Sequence, residues 1–219
     1  MFGFLDVPVS GAYHLIHWLV AATAFTGPAA TALVIVLFTV SVRLLLLPFA
    51  ISAARGERVR AALMPEIRKL QQMHGKDRER LATEMTKLQQ ESGSLFAGCL
   101  PLLAQLPFFM VMYRLFSTAT IGGAPNALLG AKLFGTPLGA TGLTGAPLVF
   151  VIAAGLAAVA WFSVRWQDRR RDAPAPGLMR FLPFGTVLAT LVVPQAAGIY
   201  LLTTTAWTAA ERAFLRRND

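Results

Sequence analysis

Four stretches of this chain run for about twenty residues or more with no more than one charged residue apiece: Ala29 to Ala54, Leu95 to Ala119, Ala146 to Val164 and Phe181 to Ala210. A helix needs roughly 20 apolar residues to cross a hydrocarbon core, and backbone polar groups inside lipid must be satisfied within their own segment. The runs therefore predict an all-α, polytopic membrane protein. Composition agrees, with 55% hydrophobic residues, 14% charged residues and a mean hydropathy of +0.57.

The fourth run is too long for one crossing. At 1.5 Å per residue it would extend about 45 Å against a core of about 30 Å, and it holds Pro183 and Pro194. The basic residues decide how it is divided. Nine of the 20 Lys and Arg lie from Arg55 to Lys87, five from Arg165 to Arg180, and three after Trp207. The segment from Thr120 to Gly145 has only Lys132, and the first 42 residues have none. Under the positive-inside rule the three clusters share the cytoplasmic side, so the fourth run must cross twice, hinged at Pro194.

Five crossings follow, at residues 28–54, 95–119, 146–165, 179–193 and 195–211. The N-terminus is placed outside and the C-terminus inside. Residues 1–27 form an extracytoplasmic N-terminus in which Val9 to Thr26, with His14, His17 and Trp18, reads as a helix lying in the outer interface. It lacks the positive n-region of a signal peptide. Residues 120–145 are an extracytoplasmic loop, 166–178 a cytoplasmic loop and 212–219 a cytoplasmic tail. Residues 55–94 are different material, rich in Arg, Glu and Gln. Their apolar positions recur at helical spacing, Leu63, Ile67 and Leu70, then Leu81, Met85 and Leu88, with Gly75 between, which predicts a cytoplasmic helical hairpin. Its charged faces are open to solvent or to a partner.

Arg43 is the sharpest local signal. Fourteen uncharged residues precede it back to Ala29 and eleven separate it from Arg55. At the centre of a helix an arginine costs roughly 2.5–3.5 kcal/mol on insertion scales. Every Asp and Glu lies outside the candidate spans, apart from those at their ends, so none is obviously placed to pair with it. A hydrated cavity is the economical answer, and snorkelling toward one leaflet is the alternative. Ser41, Gln105, Gln195, Thr203, Thr204 and Thr205 also fall in spans, where polarity is expensive, and could line a groove with Arg43; each alone also fits a helix-to-helix hydrogen bond. Arg114, toward the outer end of its span, suits snorkelling.

Enzyme signatures are missing. The chain has no H-E-x-x-H, G-x-S-x-G or Walker loop and no carboxylate pair within a span, so no catalytic residue and no cofactor are expected. His14 and His17 share a helical face without a third ligand, and Cys99 sits at no metal-ligand spacing, so no metal is expected either.

Three stretches then point to a family. VRLLLLPF (Val42 to Phe49), the hairpin MPEIRKLQQMHGKDRERLATEMTKLQQESG, and AGCLPLLAQLPFFMVMYRLF (Ala97 to Phe116) together resemble the YidC/Oxa/Alb insertases, and VPQAAGIYLLTTTAWTAAERAFL continues the likeness. The resemblance implies a five-helix core with a cytoplasm-open hydrophilic groove. Arg43 matches the family's groove arginine, which attracts short acidic extracytoplasmic tails of clients. It further implies nascent membrane proteins, the ribosome and signal recognition particle pathway, the Sec translocon and membrane lipids as partners, without sequence-specific nucleic-acid binding. Arg68, Lys69, Lys76, Arg78, Arg169, Arg170 and Arg171 would carry cytoplasmic recruitment, and the bacterial inner membrane would be the location. The family usually has Gly at Ala196, Trp at Leu201 and Asn at Thr205. A channel or small-solute transporter using Arg43 as a selectivity charge is the competing reading, and a scaffold whose hairpin recruits a soluble partner is the third.

Overall fold

The computed structural model describes residues 6–74, 77–92, 100–169 and 181–215. Gly75, Lys76, Cys99, Arg170 and Arg171 lie outside those residues, as does the side chain of Gln105. The chain divides into two compact units, Met1–Leu44 with Phe109–Asp219, and Leu45–Phe108.

In the first unit, α1 (Asp6–Ala22) starts with Asp6 and Pro8 in its first turn, an acidic group and a preset φ that both favour a helix start. A 3-10 segment, Ala24–Ala29, bends the chain at Gly27, whose φ of 67° suits a residue without Cβ. Then come α2 (Ala30–Leu45) and, after the second unit, the end of α5 (Leu100–Ser117). Two tight hairpins follow, β1 (Thr120–Ile121) with β2 (Ala124–Pro125), and β3 (Lys132–Leu133) with β4 (Thr136–Pro137), separated by the short α6 (Ala127–Gly130). Gly122 and Gly123 both take positive φ in the first turn, which is what a two-residue hairpin connection requires. After α7 (Leu148–Asp168), the 3-10 turn Leu182–Phe184 and short α8 (Gly185–Ala189) precede α9 (Gln195–Leu215).

Helices α7 and α9 form the most extensive contact of this unit. Small residues make the approach possible. A Cβ on Gly155 would stand 3.0 Å from Leu202 Cδ1, and one on Gly198 3.2 Å from Ile152 Cδ1. Ile35, Met112, Leu115, Phe116, Ile152 and Leu156 fill the interior around them.

Among the described residues two helical segments, Gly27–Leu45 and Leu148–Asp168, are long and apolar enough to cross a membrane. Only 33% and 28% of their apolar windows are buried in the protein. The helix at the centre of a soluble domain would be mostly covered, whereas here Leu33, Leu37, Phe150, Val151, Trp161 and Phe162 face outward. A largely helical protein whose apolar side chains point away from its own interior is built for lipid.

The helical run read from the sequence as ending at Ala54 is broken earlier, at Leu46, between α2 and α3 (Leu47–His74). Pro48 accounts for the break: its ring cannot donate to the preceding turn, and it falls in the first turn of α3, where no donor is needed. In the second unit α3 packs along α4 (Arg78–Ser92). Ile67 is buried, Leu63, Leu70, Leu81, Met85 and Leu88 are half-buried, and Arg68, Lys69, Arg78 and Arg80 are exposed. Asp77 accepts a backbone hydrogen bond from Arg80 at the start of α4 (3.1 Å), a side-chain cap. On the exposed face Lys87 lies 2.8 Å from Glu84, and its hydrogen bond holds the Glu84 carboxyl below the usual carboxylate value. Such a surface pair adds little stability.

Candidate functional site

Arg43 lies two residues from the end of α2, and its side chain meets α9. Its Nε donates to the Thr204 hydroxyl oxygen at 2.8 Å, and its Nη2 donates to the same oxygen. Thr204 is buried, Arg43 half-buried. A hydrogen bond between a charged donor and a neutral hydroxyl contributes roughly 1.5–3 kcal/mol, which offsets much of the insertion cost of the arginine but leaves its charge uncancelled. Among the described residues no carboxylate stands within ion-pair distance of Arg43. The group is solvated by a dipole and remains an attractor for anions.

The wall around this pair is built on α9. Tyr200, buried one turn before Thr204, packs against Phe116 of α5 with ring centroids 5.9 Å apart and planes tilted by 38°. Toward the other end, Trp207 Nε1 donates to Glu211 Oε2 at 2.9 Å. Glu211 and Tyr200 thus share the face of α9 that Arg43 meets at Thr204.

Of the polar residues expected to share a groove, the structure brings Thr204 to Arg43. Ser41 is exposed and donates to Leu37 O (2.9 Å), Thr203 donates to Ile199 O (2.8 Å), and Thr205 donates to Leu201 O (2.7 Å). These three hydroxyls serve their own helix backbones. Gln195 is fully buried at the other end of α9, beneath the loop after β4, where a Cβ on Gly145 would stand 2.3 Å from its Nε2. That loop also supplies two acceptors to the start of α9, Ala140 O for Gln195 N (3.0 Å) and Leu138 O for Ala196 N (2.8 Å), which satisfy donors a helix leaves open at its first turn. Gly145→Val is accordingly expected to lower stability by about 1–3 kcal/mol through overpacking. Thermal unfolding in detergent checks this against Gly185→Ala, where a Cβ meets nothing within 4 Å. Of the cytoplasmic recruitment residues within the described chain, Arg68, Lys69, Arg78 and Arg169 are all exposed.

Sequence reasoning missed Tyr200 and Glu211. The signal was present: Tyr200, Thr204, Trp207 and Glu211 recur at i, i+4, i+7 and i+11, one face of a helix. It also read Arg114 as a lone snorkelling cation. Arg114 Nη2 lies 2.7 Å from Asp6 Oδ1 of α1, at the wall of a cavity of about 770 Å³ that His14 and Thr118 also line.

Comparison with known proteins places the chain in a family. The profile of the family described as "60Kd inner membrane protein" matches residues 22–219. The chain is 29% identical over its whole length to a protein of Streptomyces avermitilis named "Membrane protein insertase YidC", and spans 59% of that relative. Proteins of the same name from Mycobacterium leprae and Mycolicibacterium paratuberculosis are 30% and 33% identical over 90% of this chain, which spans 66% and 71% of them.

Proposed function

This chain belongs to the 60Kd inner membrane protein family, and from that premise we propose that it inserts other proteins into the bacterial inner membrane, with Arg43 as the group that receives acidic tails of its clients. The observation that carries the reading is the guanidinium held by the buried Thr204 with, among the described residues, no carboxylate within ion-pair distance. A client tail to be moved outward must leave water, and its carboxylate loses most in doing so. An uncancelled cation part-way across, in a place where screening is weak, lowers that step more than any neutral surface could. The protein performs no covalent chemistry in this scheme; its relatives' printed name, membrane protein insertase, describes the same work.

The cycle follows from the charges. The exposed basic faces of α3 and α4, with Arg169 and its neighbours, recruit the client and the ribosome that makes it, on the cytoplasmic side. The tail carboxylate exchanges for the Thr204 hydroxyl at Arg43, and the apolar part of the client leaves sideways into lipid along the outward faces of the spans. Release needs no energy source beyond burial of the client's own apolar segment, at about 25 cal/mol per Å². The decisive experiment is reconstitution of the purified chain in liposomes with single-span clients that differ only in tail charge. A selectivity-filter role for Arg43 predicts ion or solute flux through the same liposomes, and its absence with insertion intact separates the two readings.

The accompanying topology places five spans with the N-terminus outside. Single cysteines replacing the exposed Arg78 and Arg169 are expected to react with an impermeant maleimide only from the cytoplasmic side, and one replacing exposed Lys132 only from outside. Outside labelling at position 169 overturns the arrangement.

A further inference from the structure

A carboxylate near the C-terminal end of a helix is disfavoured by the helix dipole, and Glu211 lies four residues from where α9 ends. No basic residue stands three or four positions away to pair with it: those positions hold Thr208, Trp207, Phe214 and Leu215. What holds it is Trp207 Nε1, 2.9 Å from Oε2, on the face that carries Thr204 and Tyr200. Arg43 reaches that face from α2 at Thr204, two turns away. The fixed carboxylate and the guanidinium are therefore separated by about 10 Å of helix rise, too far for a contact pair and close enough for their fields to overlap where water is scarce.

We propose that Glu211 is a built-in counter-charge that weakens the pull of Arg43 on client carboxylates and so sets how many acidic residues a tail must carry to be accepted. The inference rests on the reading of Arg43 as the receptor for those carboxylates and names a specificity-determining residue for it. A tail carboxylate arriving at Arg43 meets an attraction from the guanidinium and a repulsion from Glu211. A second acidic residue on the tail adds attraction while the fixed repulsion is already present, so the discrimination is greatest between neutral, singly acidic and doubly acidic tails. Trp207 makes the counter-charge stationary, since a carboxylate free to swing would either pair with Arg43 and close the site or turn away and have no influence.

The test uses the full chain in proteoliposomes and single-span clients with no, one or two Asp in the translocated tail, scored by protection of the tail from external protease. Glu211→Gln keeps an oxygen that accepts from Trp207 and removes only the charge. It is expected to raise insertion of the one-Asp client several-fold, up to about tenfold, with little change for the neutral client. In an Arg43→Ala background the Glu211→Gln gain should vanish, the non-additivity expected of two charges acting on one carboxylate. The proposal is overturned if Glu211→Gln equals the parent on one-Asp clients, if it raises all three clients alike, or if its gain survives in Arg43→Ala, in each case with Arg43→Ala still losing acidic clients selectively. If Arg43→Ala shows no such selectivity, the receptor reading itself fails and the counter-charge falls with it.

Discussion

Arg43→Ala is expected to cut insertion of single-span clients with acidic translocated tails by between tenfold and a hundredfold, while clients with neutral tails lose little. The size follows from Coulomb's law: two unit charges 4 Å apart at an effective dielectric of 20 attract by about 4 kcal/mol, of which the exchange against the Thr204 hydroxyl leaves about half, and each 1.4 kcal/mol is a factor of ten. The variant should fold. Its side chain contributes two hydrogen bonds to Thr204 and removes an ion from a costly place, so the melting temperature in detergent is expected to be unchanged or higher. Arg43→Lys separates charge from geometry. An ammonium supplies the attraction, and one of its three donors replaces the bonds to the threonine oxygen, so much of the activity should remain. Equal insertion of acidic and neutral clients by Arg43→Ala, at normal expression, would remove the receptor role; a Lys variant as inactive as the Ala variant would assign the role to the planar guanidinium instead.

Elements that owe their position to solvent were legible in the sequence, and elements that owe it to contacts were not. Apolar runs of the length a bilayer asks for need no partner to be read, so α2, α7 and α9 fall within the runs, whereas between Phe181 and Val193 there is a 3-10 turn and the short α8. The amphipathic stripes of α3 and α4 are legible for the same reason. Polar residues inside a span carry no such address. Thr203, Thr204, Thr205 and Gln195 look alike as sequence, yet only Thr204 faces Arg43, because helical rotation turns its neighbours by about 100° each and because Gln195 sits under Gly145 at the far end of the helix. Glu211 escaped for a simpler reason. It is the first charged residue after a long uncharged run, and reading runs by their ends assigns such a residue to the aqueous boundary, whereas its indole partner turns it back along the helix toward Arg43. Pro48 was visible throughout, and its place in the first turn of α3 is the local preference that lets the chain resume as helix at once.

Deleting Glu57 to Glu91 is expected to leave a membrane-stable protein that has lost at least about tenfold of its insertion activity, the factor that removal of some 1.4 kcal/mol of recognition contacts produces. The reasoning starts from what these helices bury. Within the described parts of α3 and α4, Ile67 alone is a buried hydrophobic residue, while the interior that unites α2, the end of α5, α7 and α9 belongs to the other unit. The arms supply none of those interior residues, so that unit's thermal unfolding is expected to move by only a few degrees. What the arms do present is charge: Arg68 and Lys69 on α3, Arg78 and Arg80 on α4, all exposed and none needed for packing. Basic groups held on a stiff pair of helices steer acidic or RNA-bearing partners at long range, an effect that should fade as salt rises through physiological strength because the screening length falls to about 8 Å. Replacing these four by Gln in the intact hairpin should therefore reproduce most of the loss seen on deletion, and the parent should lose activity with added salt more steeply than the Gln variant. Full activity of a well-expressed deletion removes the recruiting role; a deletion that is inactive beside a fully active Gln variant moves that role from the charges to the apolar stripe of Leu63, Ile67, Leu70, Leu81, Met85 and Leu88.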